Sequence, residues 1–151
     1  MLFHLPKFPA EIRVSHLNAR LNEQRKKIAQ ATSSRLELLQ LMQQLVKEAK
    51  ARKKNDQKIF VLDFKGDIQA SAADTLREEI TLILATAKAG HDRVVVRLES
   101  PGGMVHGYGL AAAQLVRLRD AGFNLTICVD KVAASGGYMM ACIANQIIAA
   151  P

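Results

Sequence analysis

Arg93-Val94-Val95-Val96-Arg97-Leu98-Glu99-Ser100-Pro101-Gly102-Gly103 carries a short β-branched run straight into a glycine-rich turn. Six residues of that kind, bounded by breakers, predict a strand. Downstream, Leu110 to Leu118 read as a helix closed by Gly122, and Leu125-Thr126-Ile127-Cys128-Val129 as the next strand. A second glycine loop follows, then an apolar helix from Tyr138 to Ala144 and a strand from Gln146 to Ala149. Upstream, Ile59-Phe60-Val61-Leu62-Asp63-Phe64 is nearly continuously apolar, as expected of a strand buried on both faces. Lys65-Gly66-Asp67 breaks it, and Ser71 with Asp74 suits a helix start. Leu76, Ile80, Ile83, Leu84 and Ala87 form that helix's apolar stripe, and Gly90 stops it. Strand and helix alternate with short connections, the signature of parallel βαβ units and an α/β fold. Only three helices serve four strands, although a parallel sheet needs both faces covered. Together with the stop at Ala149-Ala150-Pro151, this leads to the expectation of a truncated chain.

The charge is lopsided. Of the net +7, residues 1–58 hold 13 Lys/Arg against 5 Asp/Glu, and residues 59–151 hold 8 against 9. A basic arm joined to a nearly neutral globular part is the expected organisation. Pro6 and Pro9 disfavour a helix before Ala10. From Leu17, positions Leu17, Leu21, Gln24, Ile28, Ala31, Arg35, Leu38, Met42, Leu45 and Ala49 make a heptad-like seam. Thr32-Ser33-Ser34 interrupts it, with Ser34 and Glu37 spaced as a capping box, so one helix or two in tandem fit equally. Three readings compete for the arm: a solvated helix that packs on a partner or on itself, a membrane-surface stretch, and a nucleic-acid binder. The last ranks lowest, because residues 15–56 contain no aromatic side chain for stacking.

The 151 residues are 49% hydrophobic and 23% charged, which suits one globular domain and excludes a wholly disordered chain. The longest apolar runs are too short to span a bilayer, no signal peptide is recognisable, and the chain as written is expected to be soluble. Two cysteines, Cys128 and Cys142, are too few for a disulfide framework or thiolate zinc site and read as buried small hydrophobes.

In open α/β sheets, ligands gather at the carboxyl ends of strands, and two unusual loops fall there. The first is Glu99-Ser100-Pro101-Gly102-Gly103-Met104-Val105-His106-Gly107, which could turn successive peptide N–H groups to one point or simply connect strand and helix tightly. The second is Asp130-Lys131-Val132-Ala133-Ala134-Ser135-Gly136-Gly137-Tyr138. Ser135, flanked only by Ala and Gly at a strand–helix junction, fits a nucleophile on a sharp elbow and a helix cap equally well. If it is a nucleophile, Gly103 and Gly136 N–H groups could supply an oxyanion site.

Ser100-Pro101-Gly102-Gly103 followed by Asp130-Lys131-Val132-Ala133-Ala134-Ser135-Gly136-Gly137-Tyr138 resembles the signal peptide peptidase A family of serine peptidases, in its SohB branch, from about Val61 to Pro151. The resemblance implies a ClpP/crotonase-like βαβ superhelix and endopeptidase activity. It further implies Ser135 as nucleophile, Gly103 and Gly136 as the oxyanion hole, and no metal or organic cofactor. The implied partners are a peptide or protein substrate and other copies of the chain, at the bacterial inner membrane. On this reading residues 1–14 are an irregular start, 15–56 the arm, and 57–151 the first half of a catalytic domain.

The family base is a lysine well downstream of the serine, and none of the 16 residues after Ser135 is Lys, His, Asp or Glu. The family's membrane anchor is likewise not among these residues. The chain is therefore expected to be an N-terminal fragment, inactive by itself. Lys131 is read as pointing to solvent or pairing with Asp130, and His106 with Asp130 or Glu99 is a weak substitute for a Ser-His-Asp set. Three rivals are weighed. Gly107-Tyr108-Gly109-Leu110-Ala111-Ala112 with Asp130 mimics a dinucleotide fingerprint, but lies eight residues past Leu98 rather than on a tight turn. A crotonase-like acyl-CoA enzyme would use the same two backbone donors without needing Ser135. A scaffold pairing through its arm would need no chemistry at all.

Overall fold

In a computed structural model of the chain, residues 12–54 and 56–151 are described, so most of the expected irregular start lies outside them. They form two compact units, Ile12–Asp56 and Gln57–Pro151.

The first unit is a pair of helices, α1 (Leu17–Thr32) and α2 (Arg35–Lys54), in contact with each other. Between them Ser34 N–H donates to the Glu37 carboxylate at 2.7 Å and Glu37 N–H donates to Ser34 Oγ at 3.4 Å, the reciprocal capping box. The Ser34 N–H, and after it the Ser34 hydroxyl donating to the same carboxylate at 2.9 Å, hold the Glu37 carboxyl below its ordinary range. Arg25 meets Glu48 at 3.5 Å across the pair. The continuous seam is corrected: Leu17, Leu21, Ile28 and Met42 are exposed, whereas Ala29 and Leu45 are buried. Once the chain breaks at Ser33-Ser34, packing between two short helices selects the inner stripe, and a single continuous register no longer applies.

The second unit is a four-stranded parallel sheet in the order β1 (Ile59–Lys65), β2 (Arg93–Glu99), β3 (Asn124–Val129), β4 (Gln146–Ala149). It is joined by α3 (Ala73–Thr86), α4 (Val105–Asp120) and α5 (Gly136–Ala141). Right-handed crossovers between strands that advance steadily in one direction place every helix on the same face. The register agrees: Leu62 pairs Val96, which pairs Ile127, and all three point into one core with Leu76, Ile80, Leu115, Leu118 and Met140. Residues of the other parity face away: Ile59, Val61 and Asp63 are exposed, and Val95, Thr126 and Cys128 only half-buried. The reading of β1 as buried on both faces is thereby corrected, and three helices serve four strands within this unit because α3, α4 and α5 all lie on the one core-forming face. That face carries a two-pronged ion pair, Arg97 Nε and Nη2 donating to Asp63 at 2.5 and 2.6 Å.

Three smaller expectations change. α4 starts at Val105, five residues before Leu110, so Gly107 and Gly109 sit inside a helix and form no phosphate-binding turn. α5 starts at Gly136 and ends at Ala141. Both cysteines are free thiols: Cys128 is half-buried because it lies on the face of β3 turned away from the core, and Cys142 is exposed at the end of α5.

Candidate active site

The loops after β1, β2 and β3 meet at the carboxyl edge of the sheet. Beyond the ends of β2 and β3 the pairing continues: Ser100 N–H donates to Val132 O at 2.8 Å and Ala134 N–H to Ser100 O at 3.0 Å. The two glycine loops therefore run side by side. Gly102 has φ +87°, and a Cβ on it would stand 2.7 Å from both Ser135 Cβ and Ala134 O. Only a residue without a side chain admits that approach. The loop after β1 joins through Ile68, whose carbonyl accepts Met104 N–H at 2.8 Å and lies against Gly103.

Ser135 stands at the turn into α5 with φ +49° and ψ −115°, a conformation costly for any residue with a Cβ. It is exposed, and its hydroxyl caps nothing, so the cap alternative is set aside. The strain instead presents Oγ at the rim. Gly136 follows it, and Gly137 N–H closes the turn onto Ala134 O at 2.8 Å. Neither the Gly103 nor the Gly136 N–H donates to a backbone carbonyl or side chain among the described residues. Two free amides and a free hydroxyl on neighbouring loops suit a group that gains negative charge as it is attacked.

Two residues that the sequence did not single out hold this edge together. Tyr108, on the first turn of α4, and Ser100 are both fully buried. The Tyr108 hydroxyl donates to Asp67 O at 2.8 Å, which uses its only proton. Ser100 Oγ–H therefore donates to Tyr108 Oη at 2.6 Å, and Ser100 Oγ accepts Gly102 N–H at 3.1 Å. The tyrosine ring meets Phe64 edge to face, with centroids 6.3 Å apart, and leaves no space for a Cβ on Gly136. The signal was available: a tyrosine on an alanine-rich helix face needs a partner for its hydroxyl. Asp67 is itself pinned, its carboxylate accepting Ser71 Oγ–H and Ser71 N–H, bonds that hold its carboxyl below the ordinary range. Ser71 is thus spent on the loop, and the N-cap of α3 is Ala72, a correction to the expected helix start.

The candidate bases do not reach the serine. Of the two alternatives for Lys131, its side chain is exposed, and its Nζ is held at 3.0 Å by Glu99, which corrects the pairing with Asp130. Parallel β2 and β3 bring positions 99 and 131 to one edge, which sequence adjacency does not reveal. His106 is exposed on α4, and no described hydrogen bond joins it to Ser135, Asp130 or Glu99. Among the described residues no group of three or more His, Cys, Asp or Glu could hold a metal ion. A polar hollow of about 380 Å³ lies among Gln57, His91, Arg93, Arg119 and Asn145, at the opposite end of the strands from Ser135.

Fold and site together define a parallel α/β domain whose strand-end loops converge on an exposed, strained serine. The family model described as Peptidase family S49 N-terminal matches residues 6–115, and the chain belongs to that peptidase family. Ser135 lies beyond the matched segment. Over 99 residues, 66% of the chain, it is 61% identical to a probable protease SohB of Buchnera aphidicola subsp. Acyrthosiphon pisum, covering 29% of that relative. It is 62% identical over 93 residues, 62% of the chain, to a probable protease SohB of Haemophilus influenzae, covering 26% of it. A Protease 4 of Salmonella typhi is 40% identical over 58 residues, 38% of this chain and 9% of that relative. The matched stretch thus spans under a third of the SohB relatives' length.

Proposed function

We propose that the chain is the nucleophile-bearing portion of a serine endopeptidase of the SohB type. Ser135 Oγ attacks the scissile carbonyl, and the Gly103 and Gly136 N–H groups hold the oxyanion that forms. The observation that carries this reading is the strained, exposed, uncapped Ser135 packed against Gly102. A lysine outside these 151 residues would take the serine proton and return it to the leaving amine. With Lys131 engaged by Glu99, the chain alone is expected not to cleave peptides. The steady strand order with helices on one face supports a ClpP/crotonase-like superhelix as the complete fold. A working place at the bacterial inner membrane, with the basic arm towards anionic headgroups and several copies assembled, completes the proposal. Among the described residues no helix is long and apolar enough to cross a membrane. A crotonase-like acyl-CoA enzyme gives no role to a serine held in this conformation.

A peptide boronic acid tests the assignment without needing the lysine. Ser135 Oγ adds to boron, its proton passes to buffer, and a boron hydroxyl takes the oxyanion position. Boron NMR and intact mass should report a one-to-one adduct that Ser135→Ala abolishes. An adduct that survives that substitution, or none in the parent chain, would overturn the reading.

A further inference from the structure

Resting on Ser135 as the nucleophile, we infer that Tyr108 is a positioning residue whose hydroxyl sets the distance between the Gly102-Gly103 turn and the Ser135-Gly136 elbow. Three strand-end loops depend on this one side chain. The loop after β1 accepts its proton at Asp67 O, and the loop after β2 reaches it through Ser100 Oγ. The loop after β3 rests on its ring at Gly136.

The direction of the relay is fixed by counting protons. Tyr108 has one, and a carbonyl can only accept, so the order runs from Gly102 N–H to Ser100 Oγ, from Ser100 Oγ–H to Tyr108 Oη, and from Tyr108 Oη–H to Asp67 O. Every group in it is spent, and none can rotate away without leaving a buried partner unpaired. Gly102 is the residue on which a Cβ would collide with Ser135 Cβ, and Gly103, whose amide makes no described hydrogen bond, comes next. The hydroxyl of a residue that touches no substrate therefore determines where the second oxyanion donor stands. Gly66 and Gly137 are confined by the same pair, since a Cβ on Gly66 would strike Tyr108 Oη and one on Gly137 would come within 2.9 Å of Ser100 Cβ.

Tyr108→Phe keeps the ring under Gly136 and cuts the relay. Measured by calorimetry against the 151-residue chain, it should weaken the peptide boronate roughly tenfold or more, since oxyanion donors act through placement. The same peptide with a carboxamide in place of boron should bind both proteins alike, which a merely structural role would not predict. Ser100→Ala, a smaller change that serves should Tyr108→Phe not fold, ought to give a similar loss. The double variant should lose no more than either single one, because both cut one relay. Phe64→Leu, which touches the ring from the core side, should lower the melting temperature and leave boronate affinity within about twofold. Unchanged boronate affinity in both relay variants, or an equal loss for boronate and carboxamide, would overturn the inference while Ser135 stands. No adduct in the parent chain would remove both.

Discussion

Two glycines of similar conformation separate the cost of backbone strain from the cost of bringing the two loops together. Gly90 has φ +73° and open space, with nothing within 4 Å of where a methyl would stand, whereas Gly102 has φ +87° and would place a methyl 2.7 Å from Ser135 Cβ and Ala134 O. Alanine at either site adopts a left-handed conformation that costs about 1–2 kcal/mol. At Gly90 nothing more is added. At Gly102 the methyl needs carbon contacts near about 3.5–4.0 Å, so the loops must part by about 1 Å. Such overpacking adds roughly 1–3 kcal/mol. For a domain of this size each kcal/mol shifts the melting temperature by about 4–8 °C. Gly102→Ala should therefore melt at least about 4 °C below Gly90→Ala in a thermal scan followed by circular dichroism. A displacement near about 1 Å between the proposed nucleophile and the proposed oxyanion donors should also weaken the peptide boronate about a hundredfold, with Gly90→Ala leaving that affinity unchanged. Equal melting and equal boronate affinity for the two variants would refute the convergence of the loops on which the site depends.

Two further outcomes test the scaffold. Asp92 is almost fully buried, and its carboxylate accepts the N–H groups of Lys58 and Lys88, each at 2.9 Å; the Lys88 bond, then the Lys58 bond, holds its carboxyl below the ordinary 3.8. A depressed folded-state value means that its contribution is complete above pH 3.8 and is lost as pH falls from there through the folded value. Asp92→Asn should be less stable than the parent at about pH 7 and show a shallower loss of melting temperature below about pH 4. A parallel pH dependence of the two proteins would exclude that role for Asp92. Of the two free thiols, exposed Cys142 should react with iodoacetamide in the native protein well before half-buried Cys128, and peptide mapping that finds the reverse order would contradict the placement of Cys142 at the exposed end of α5.

The α/β class is legible because β1, β2 and β3 are short runs rich in apolar residues set off by glycine or charged residues, with helical periodicity between them. Ser135 is legible for a related reason, since a serine set among Ala133, Ala134, Gly136 and Gly137 has no bulky neighbour to hide it. Its strained φ is not legible, because no residue type announces it. Propensity alone starts α4 five residues late, because Gly107 and Gly109 weigh against a helix. Tertiary packing overrides them by drawing Tyr108 into the core. Gly136 reads as loop for the same reason, although its missing side chain is what lets α5 begin against the tyrosine ring. The relay through Ser100 is hidden because its members, Asp67, Ser100 and Tyr108, come from separate elements and look like ordinary turn and helix residues. In the arm, periodicity alone is compatible with one helix or two, and the Ser34–Glu37 box decides between them at the expense of the continuous seam.

The topology explains why such a site is built from main chain. In a doubly wound sheet the helices leave to opposite faces at the switch point, and a crevice opens there for a ligand. Here β1 to β4 advance without reversal and every crossover returns over the same face, so the described strands contain no switch point. Successive loops must instead cross the same rim towards the same helix layer, and they press against one another. The contact is close enough that Gly66, Gly102, Gly103, Gly136 and Gly137 each lack room for a Cβ. Crowding of that kind excludes bulky side chains from the rim and leaves backbone N–H groups as the functional groups within reach. Ser135, the proposed nucleophile, is the hydroxyl residue this crowded turn admits between Ala134 and Gly136, with φ +49° above the fully buried Tyr108 and Ser100 that the proposed relay joins.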